Sequence, residues 1–321
     1  MSVYELDGVP KTRTMFGLDG VGPGIDYFTY NVNRDTMLRA LTERVYFHQV
    51  DGQWEAPHRP SKRFVLNKLR TFTKRLMRRL PDQTPISLDE IPALYSGHKR
   101  QVYERAVASL HSRPVEECDS FLKTFIKFEK NNGTAKKHPC PRVIQPRNPR
   151  YLAALIRFLK LLEHPMYRST NHVFRSDVIT KGKNSSQTAV CIVDAVKAIP
   201  GSWVAVGLDA SRFDQHESEA VLWWEHLIYL ACFRDQADKA ELRQLLEWQR
   251  TNYGFARTPD ALFRYRVHGG RMSGDINTAM GNCLVMCAMA FSFMHELGFK
   301  TEDYRFVDNG DDCILFVQEK D

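Results

Sequence analysis

The sequence predicts an α+β fold in which a small antiparallel sheet is backed by helices. Three observations carry this. The run "WVAVGL" (203–208) is a continuous apolar strand that ends directly on Asp209. Asn309-Gly310 lies between the apolar runs of "FVDNGDDCILF" (306–316), which is a hairpin signal. Between them, "INTAMGNCLVMCAMAFSFMHEL" (276–297) is apolar nearly all round, as a helix buried in a core would be.

The remaining elements follow in chain order. "GLDGVGPG" (17–24) follows no strand and contains Pro23, so it reads as a turn and not as a phosphate loop. "RDTMLRALTERVYF" (34–47) reads as an amphipathic helix running into a strand. "SKRFVLNKLRTFTKRLMRRL" (61–80) has Val65, Leu66, Leu69, Phe72, Leu76 and Leu80 at helical spacing, eight Lys or Arg and no acid. It reads as one basic amphipathic helix. Its charges, Lys62, Arg63, Lys74, Arg75 and Arg78 among them, form either a solvated face or a contact with an RNA backbone or an anionic membrane surface.

In "FLKTFIKFEKNNGTAKKHPCPRVIQPRNPR" (121–150) a strand-like piece ends at Lys127 to Lys130 and a turn follows at "NNGT". The four prolines hold the later basic residues in extended spacing. "YLAALIRFLKLLEHPMY" (151–167) reads as one largely buried helix. "EAVLWWEHLIYLACF" (219–233) and "ADKAELRQLLEWQRTNY" (237–253) read as two more, and "FRYRVHGG" (263–270) as a strand into a glycine turn.

Composition narrows the partners. A formal net charge of +7 over 321 residues favours a polyanion, nucleic acid before membrane. The seven cysteines are scattered, and no Cys/His cluster has zinc spacing. No run approaches 18 apolar residues and the N-terminus has no apolar signal core, so no transmembrane segment is expected.

The chemistry is expected at the acids. Asp311 and Asp312 are turn residues on the plainest reading. If the hairpin lies beside the strand that ends on Asp209, however, several carboxylates meet at one sheet edge and repel one another. Hard divalent cations relieve that repulsion, and oxygen ligands suit Mg²⁺. Two such ions roughly 3.5–4 Å apart form the clamp used for in-line phosphoryl displacement. "SGDINTAMGN" (273–282) adds a flexible loop at Ser273-Gly274 and a helix start, with Gly281 one turn beyond Asn277 to admit a strand or substrate. Helix capping by Ser273, Asp275 or Asn277 is an alternative use of the same residues.

"DASRFD", "SGDINTAMGN" and "DNGDD", in this order, resemble motifs A, B and C of a viral RNA-dependent RNA polymerase. The Lys/Arg segment upstream resembles motif F. The fuller strings "KFEK", "KKHPCPRVIQPRNPRY", "GLDASRFDQH", "GGRMSGDINTAMGNCLVMCAM" and "NGDDCILF" are similar to the tombusvirus-like polymerases (Tombusviridae) of positive-strand RNA viruses. The resemblance covers about 121–316 and is weaker before it.

The resemblance implies a right-hand polymerase fold with fingers and a partial palm. It implies Mg²⁺ at Asp209 and Asp311, with Asp312 auxiliary and Mn²⁺ able to substitute. Asp214 and Asn277, with Ser273 or Thr278, would bond the ribose 2′-hydroxyl. Arg142, and less directly Lys127, Lys137 and Arg147, would neutralise the triphosphate. Residues 1–150 would form an N-terminal region and fingers with the basic NTP-access segment, 151–215 the first palm part, 216–270 a fingers insertion and 271–321 the palm with motifs B and C. Family polymerases continue past the hairpin into a thumb, so this sequence is expected to be truncated. RNA template, nascent strand and NTPs would be the partners. So would a membrane-anchored viral replication protein, on membrane-associated replication complexes in the cytoplasm of the infected host cell. The rivals are another palm-type nucleotidyltransferase, such as a reverse transcriptase, and a non-catalytic RNA-binding fragment of polymerase fold.

Overall fold

The structure, a computed structural model, describes residues 1–16 and 27–319. The turn expected at 17–24 therefore lies outside the described residues. The chain is a mixed α+β protein with two principal sheets. The first orders its five strands as Ser2–Glu5, Ala261–His268, Thr251–Thr258, Leu122–Ile126 and Val143–Ile144. All neighbours are antiparallel except Leu122–Ile126 with Thr251–Thr258. The second sheet orders Tyr304–Asp308, Asp312–Gln318 and Trp203–Asp209, all antiparallel. This is the hairpin beside the apolar strand that the sequence suggested.

One face of the three-stranded sheet carries Cys313, Leu315 and Phe306 into the main core. Helix Thr278–Glu296 lies in that core, where Phe291 packs 5.7 Å from Phe72 and 5.6 Å from Phe174, centroid to centroid. The other face packs Val307 and Phe316 against Ala195 and Ile199, on or just beyond helix Ser185–Lys197. Strand Trp203–Asp209 is a sheet edge and is exposed along its length, although it is apolar throughout Trp203 to Leu208 except at Gly207.

Three predicted helices end differently. Residues 61–80 form two helices, Lys62–Lys68 and Arg70–Met77, which meet where Leu69 leaves helical geometry (φ −92°, ψ 7°). That break lets Val65, Leu69, Phe72 and Leu76 share the core, while Leu66 stays exposed. The 151–167 segment also splits, into Pro149–Leu159 and Glu163–Phe174. Pro165 has no N–H for a continuing helix but fits the first turn of a new one. Helix Gln236–Arg250 stops before "TNY", which opens strand Thr251–Thr258. Its hairpin partner follows Pro259-Asp260, a turn signal the helical reading passed over.

Candidate active site

Asp209 and Asp312 are direct register partners at the end of the three-stranded sheet. Asp311 is next in the turn, and its carbonyl accepts from Ala210 N at 3.3 Å. Gly310 makes the turn possible by taking φ 93°. All three carboxylates are exposed, and among the described residues no side-chain hydrogen bond or ion pair holds any of them. Their backbones meet, but their side chains divide. Asp311 faces a more enclosed cavity, whereas Asp209 and Asp312 face a more open groove shared with Thr180, Lys183 and Thr188. Successive residues entering a strand point to opposite faces, so Asp311 and Asp312 cannot both follow Asp209. Among the described residues, no three His, Cys, Asp or Glu side chains converge on one point.

The cavity, about 290 Å³, is lined by Asp311, Asp214 and Ser273 on one side and by Lys127 and Arg142 from the proline-rich segment. Arg44, Arg59 and Arg212 line it too, and the sequence reading did not single these out. Glu129 accepts from Arg142 Nε at 2.9 Å and lies 3.2 Å from Lys127 Nζ. That hydrogen-bonded carboxylate, with Asp311 across the cavity, holds the Arg142 guanidinium above its ordinary value. Arg212 takes a left-handed conformation (φ 54°) between Asp209 and Asp214 and donates to the Glu43 carbonyl at 2.7 Å. It thereby ties the acidic turn to the segment Thr42–Tyr46.

Asp214 is mostly buried, and burial raises its pKa, with Asp311 and Asp275 adding to the effect. Asn282 Nδ2 donates to Asp214 Oδ1 at 2.8 Å. Asn282 Oδ1 in turn accepts from Arg271 Nε at 3.1 Å. Arg271 is fully buried and donates to Glu217 at 2.6 Å and to Glu225. Burial alone would raise both acids. It pushes Glu217 up to about 8, while the Arg271 guanidinium holds Glu225 below its ordinary value. Gly281 belongs to this cluster: a Cβ there would lie 2.4 Å from an Arg271 nitrogen and 2.6 Å from a Glu225 oxygen. Its smallness thus admits an ion pair, not a strand or substrate.

Several expected ligand positions are used elsewhere. Asn277 is fully buried, donating to Glu225 Oε1 at 3.0 Å and accepting from Gln249 at 2.9 Å, so it does not reach the cavity. The asparagine beside Asp214 is Asn282, five residues on. The repeated Asn in "NTAMGN" was the available signal, and helical geometry separates the two, since positions five apart lie on different faces. Arg147 is buried and spent on Asp275, the Asn252 side chain (2.6 Å) and the Ser120 carbonyl (2.7 Å), so it cannot meet a triphosphate in the cavity. Thr278 Oγ1 donates to the Met272 and Asp275 carbonyls at 3.0 and 2.9 Å. Lys137 is exposed on the turn and does not line the cavity.

Ser273 does line the cavity, and its Oγ accepts from Gln145 N at 3.2 Å. The loop it sits on was expected to be flexible. Instead Gly274 bridges Pro146, and a Cβ on Gly274 would lie 2.6 Å from the Gln145 carbonyl oxygen. On the basic segment, Lys62 pairs with Glu219 at 3.2 Å, while Arg63, Lys74, Arg75 and Arg78 are exposed.

Asp308, at the base of the hairpin, is fully buried, and its Oδ2 has no partner. Burial pushes its carboxyl up to about 7, against the Cys283 thiol and the Gly310 N–H. The folded state therefore binds a proton that the unfolded chain releases near pH 4, and stability falls as pH rises from about 4 to about 7. Asp308→Asn is expected to flatten that decline. Its urea midpoint should gain on the parent between pH 5 and pH 8, and a constant gap would mean that Asp308 is ionised throughout.

Comparison with known proteins identifies the family of the chain that carries these acids and this cavity. A sequence model described as "Viral RNA dependent RNA polymerase" matches residues 1–321, and the chain belongs to that family. It is similar to the RNA-directed RNA polymerase of Turnip crinkle virus, 39% identical over 319 residues covering 99% of this chain and 40% of the relative. It is also similar to that of Tobacco necrosis virus (strain D), 40% identical over 324 residues, 100% of this chain and 44% of the relative. The counterpart from Melon necrotic spot virus is 37% identical over 320 residues. These bear out the resemblance to tombusvirus-family polymerases. The chain spans less than half the length of these relatives. Among the described residues one helix, Thr278–Glu296, is long and apolar enough to cross a membrane, and 67% of its apolar window is buried in the core.

Proposed function

We propose that this chain supplies the fingers and part of the palm of an RNA-directed RNA polymerase, which joins NTPs on an RNA template and releases pyrophosphate. The observation that carries this reading is the cavity that brings Asp311 and Asp214 opposite Arg142 and Lys127. The division into fingers and palm is supported by the five-stranded sheet, which draws strands from both the 1–150 and 216–270 segments, and by the separate three-stranded sheet.

The donor chemistry suits divalent cations, although only Asp209 and Asp312 share a groove as the side chains stand, and Asp311 would have to turn toward them to share an ion. Asp209, Asp311 and Asp312 offer only oxygen ligands, lie at one strand junction and have no cationic partner among the described residues. When bound, Mg²⁺ (or Mn²⁺) would stabilise charge on the α-phosphate during in-line displacement. The protein's own groups do the rest. Arg142 and Lys127 receive the triphosphate, and to do so they exchange Glu129 for phosphate oxygens. Asp214 and Asn282 present a hydrogen-bonding pair to the ribose 2′-hydroxyl, in place of the Asn277 first expected. Deoxynucleotides then leave buried polar groups unpaired. The same reading places the work on membrane-associated complexes in the host cytoplasm, beside a membrane-anchored replication protein.

Primer extension with matched rNTP and dNTP tests the sugar assignment. Asn282→Ala is expected to lower the rNTP preference at least about tenfold, the scale of one lost hydrogen bond to a charged group. An unchanged preference would move ribose recognition elsewhere.

A further inference from the structure

The geometry points to a second RNA-binding site, a cationic groove remote from the catalytic cavity that holds the sugar–phosphate backbone. It lies between helix Arg70–Met77 and helix Glu163–Phe174, which are joined where Ser169 Oγ donates to the Arg79 carbonyl at 2.6 Å. Its lining is Arg79, Arg168, Asn171, His172, Arg175 and Ser176. Arg168, His172 and Arg175 stand at i, i+4 and i+7, on one face of their helix. Arg175 also opens onto a neighbouring depression where Arg75, His295 and Lys300 outnumber one acid, Glu302. From Asn282, beside Asp214, to His295 is thirteen residues of the same helix, about 20 Å at its rise per residue.

The charge arrangement calls for an anion. Arg79, Arg168 and Arg175 are exposed, and none has an ion-pair partner among the described residues. Many of the chain's other arginines, such as Arg142, Arg157, Arg250 and Arg271, do have one. The acid on the following segment, Asp177, is already engaged by Lys183 and by Asn171 Nδ2. Arg175 closes its helix in the left-handed region (φ 57°, ψ 28°), where glycine sits without strain, yet it adds its guanidinium to the groove. Cations gathered without counter-ions repel one another until a polyanion arrives. The lining has no apolar side chain to enter a lipid surface, which favours a phosphate backbone over a membrane. That the polyanion is RNA rests on the polymerase reading above.

The test is binding of a fluorescent single-stranded RNA homopolymer to the full chain, without NTP or divalent cation, across a salt series. Neutralising the groove with Arg79→Gln, Arg168→Gln and Arg175→Gly together is expected to weaken binding at 0.1 M salt at least about tenfold and to reduce the log–log salt slope by about 2. A lysine triple variant keeps the charge and should keep the slope. The Arg168→Gln, Arg175→Gly pair should reduce the slope by about 1.4 and serves if the triple variant loses its cooperative melt. Wild-type slope and affinity in the neutral variants would overturn the proposal. So would lost sedimentation with phosphatidylserine vesicles while RNA binding stays intact. Nucleotide addition by the wild type and Asp311→Asn is read separately. If the two extend a primer equally while the groove variants still lose RNA, the polymerase reading fails and the groove stands.

Discussion

Replacing Asp311 by asparagine is expected to cut nucleotide addition on the order of a thousandfold while leaving the chain as stable as before. Asp311 is exposed at a hairpin tip and makes no side-chain hydrogen bond or ion pair among the described residues, so its charge contributes little to holding the fold. Its value lies in the cavity, where it is the carboxylate facing Arg142 and Asp214. Charge stabilisation of a phosphoryl transition state by a bound cation is worth several kcal/mol, and about 4 kcal/mol is close to a thousandfold in rate. Asparagine keeps the size and loses the anionic oxygen. Primer extension at saturating NTP, alongside thermal melting, separates the two effects. Equal extension by both proteins would remove Asp311 from the chemistry, and with it the catalytic reading of this chain. A falling melting temperature would instead reveal a structural role that the exposed position does not suggest.

The second large effect is expected at Arg271, where substitution by methionine should cost about 3–5 kcal/mol. The side chains of Arg271, Glu217 and Glu225 are 0%, 2% and 0% exposed, so removing the cation strands the Glu225 carboxylate, and leaves the Glu217 carboxyl without its donor, where water cannot reach them. Against a typical total stability of about 5–15 kcal/mol this is a large share, and it should appear as a lower urea midpoint. Gly281→Ala should act through the same cluster, because its Cβ would meet Arg271 and Glu225 inside contact distance. The two substitutions together should cost less than their sum, since both break one network. Full additivity would mean that Gly281 matters for some reason other than the ion pair. Arg271 also anchors Asn282, so the methionine variant should lose sugar preference along with stability.

The parts of this molecule that were legible in its sequence are those that depend on local pattern. Alternation and turn chemistry placed the hairpin around Asn309-Gly310, and unbroken apolarity placed helix Thr278–Glu296 in the core. What escaped was settled by tertiary pairing. Nothing local to "RNPR" says that Arg147 will be buried against Asp275, 128 residues away. Asn277 and Asn282 are chemically identical, and only the packing of Glu225 and Gln249 against the first frees the second for Asp214. That strand Trp203–Asp209 is the outer one of three is not legible in its apolar run, because strand order is not written in any one strand. The acids were found by residue type and order, yet the split of their side chains between two cavities follows from pleat and turn at the junction.

The join between Gln145–Arg147 and Ser273–Asp275 has a mechanical consequence. A main-chain bridge, a serine hydroxyl and a buried ion pair bind these two stretches at three successive positions. They must therefore travel as a single rigid wall, and an arriving substrate cannot push them apart. Room for an arriving triphosphate therefore comes from side chains rather than from this wall, with Glu129 giving up its two cations.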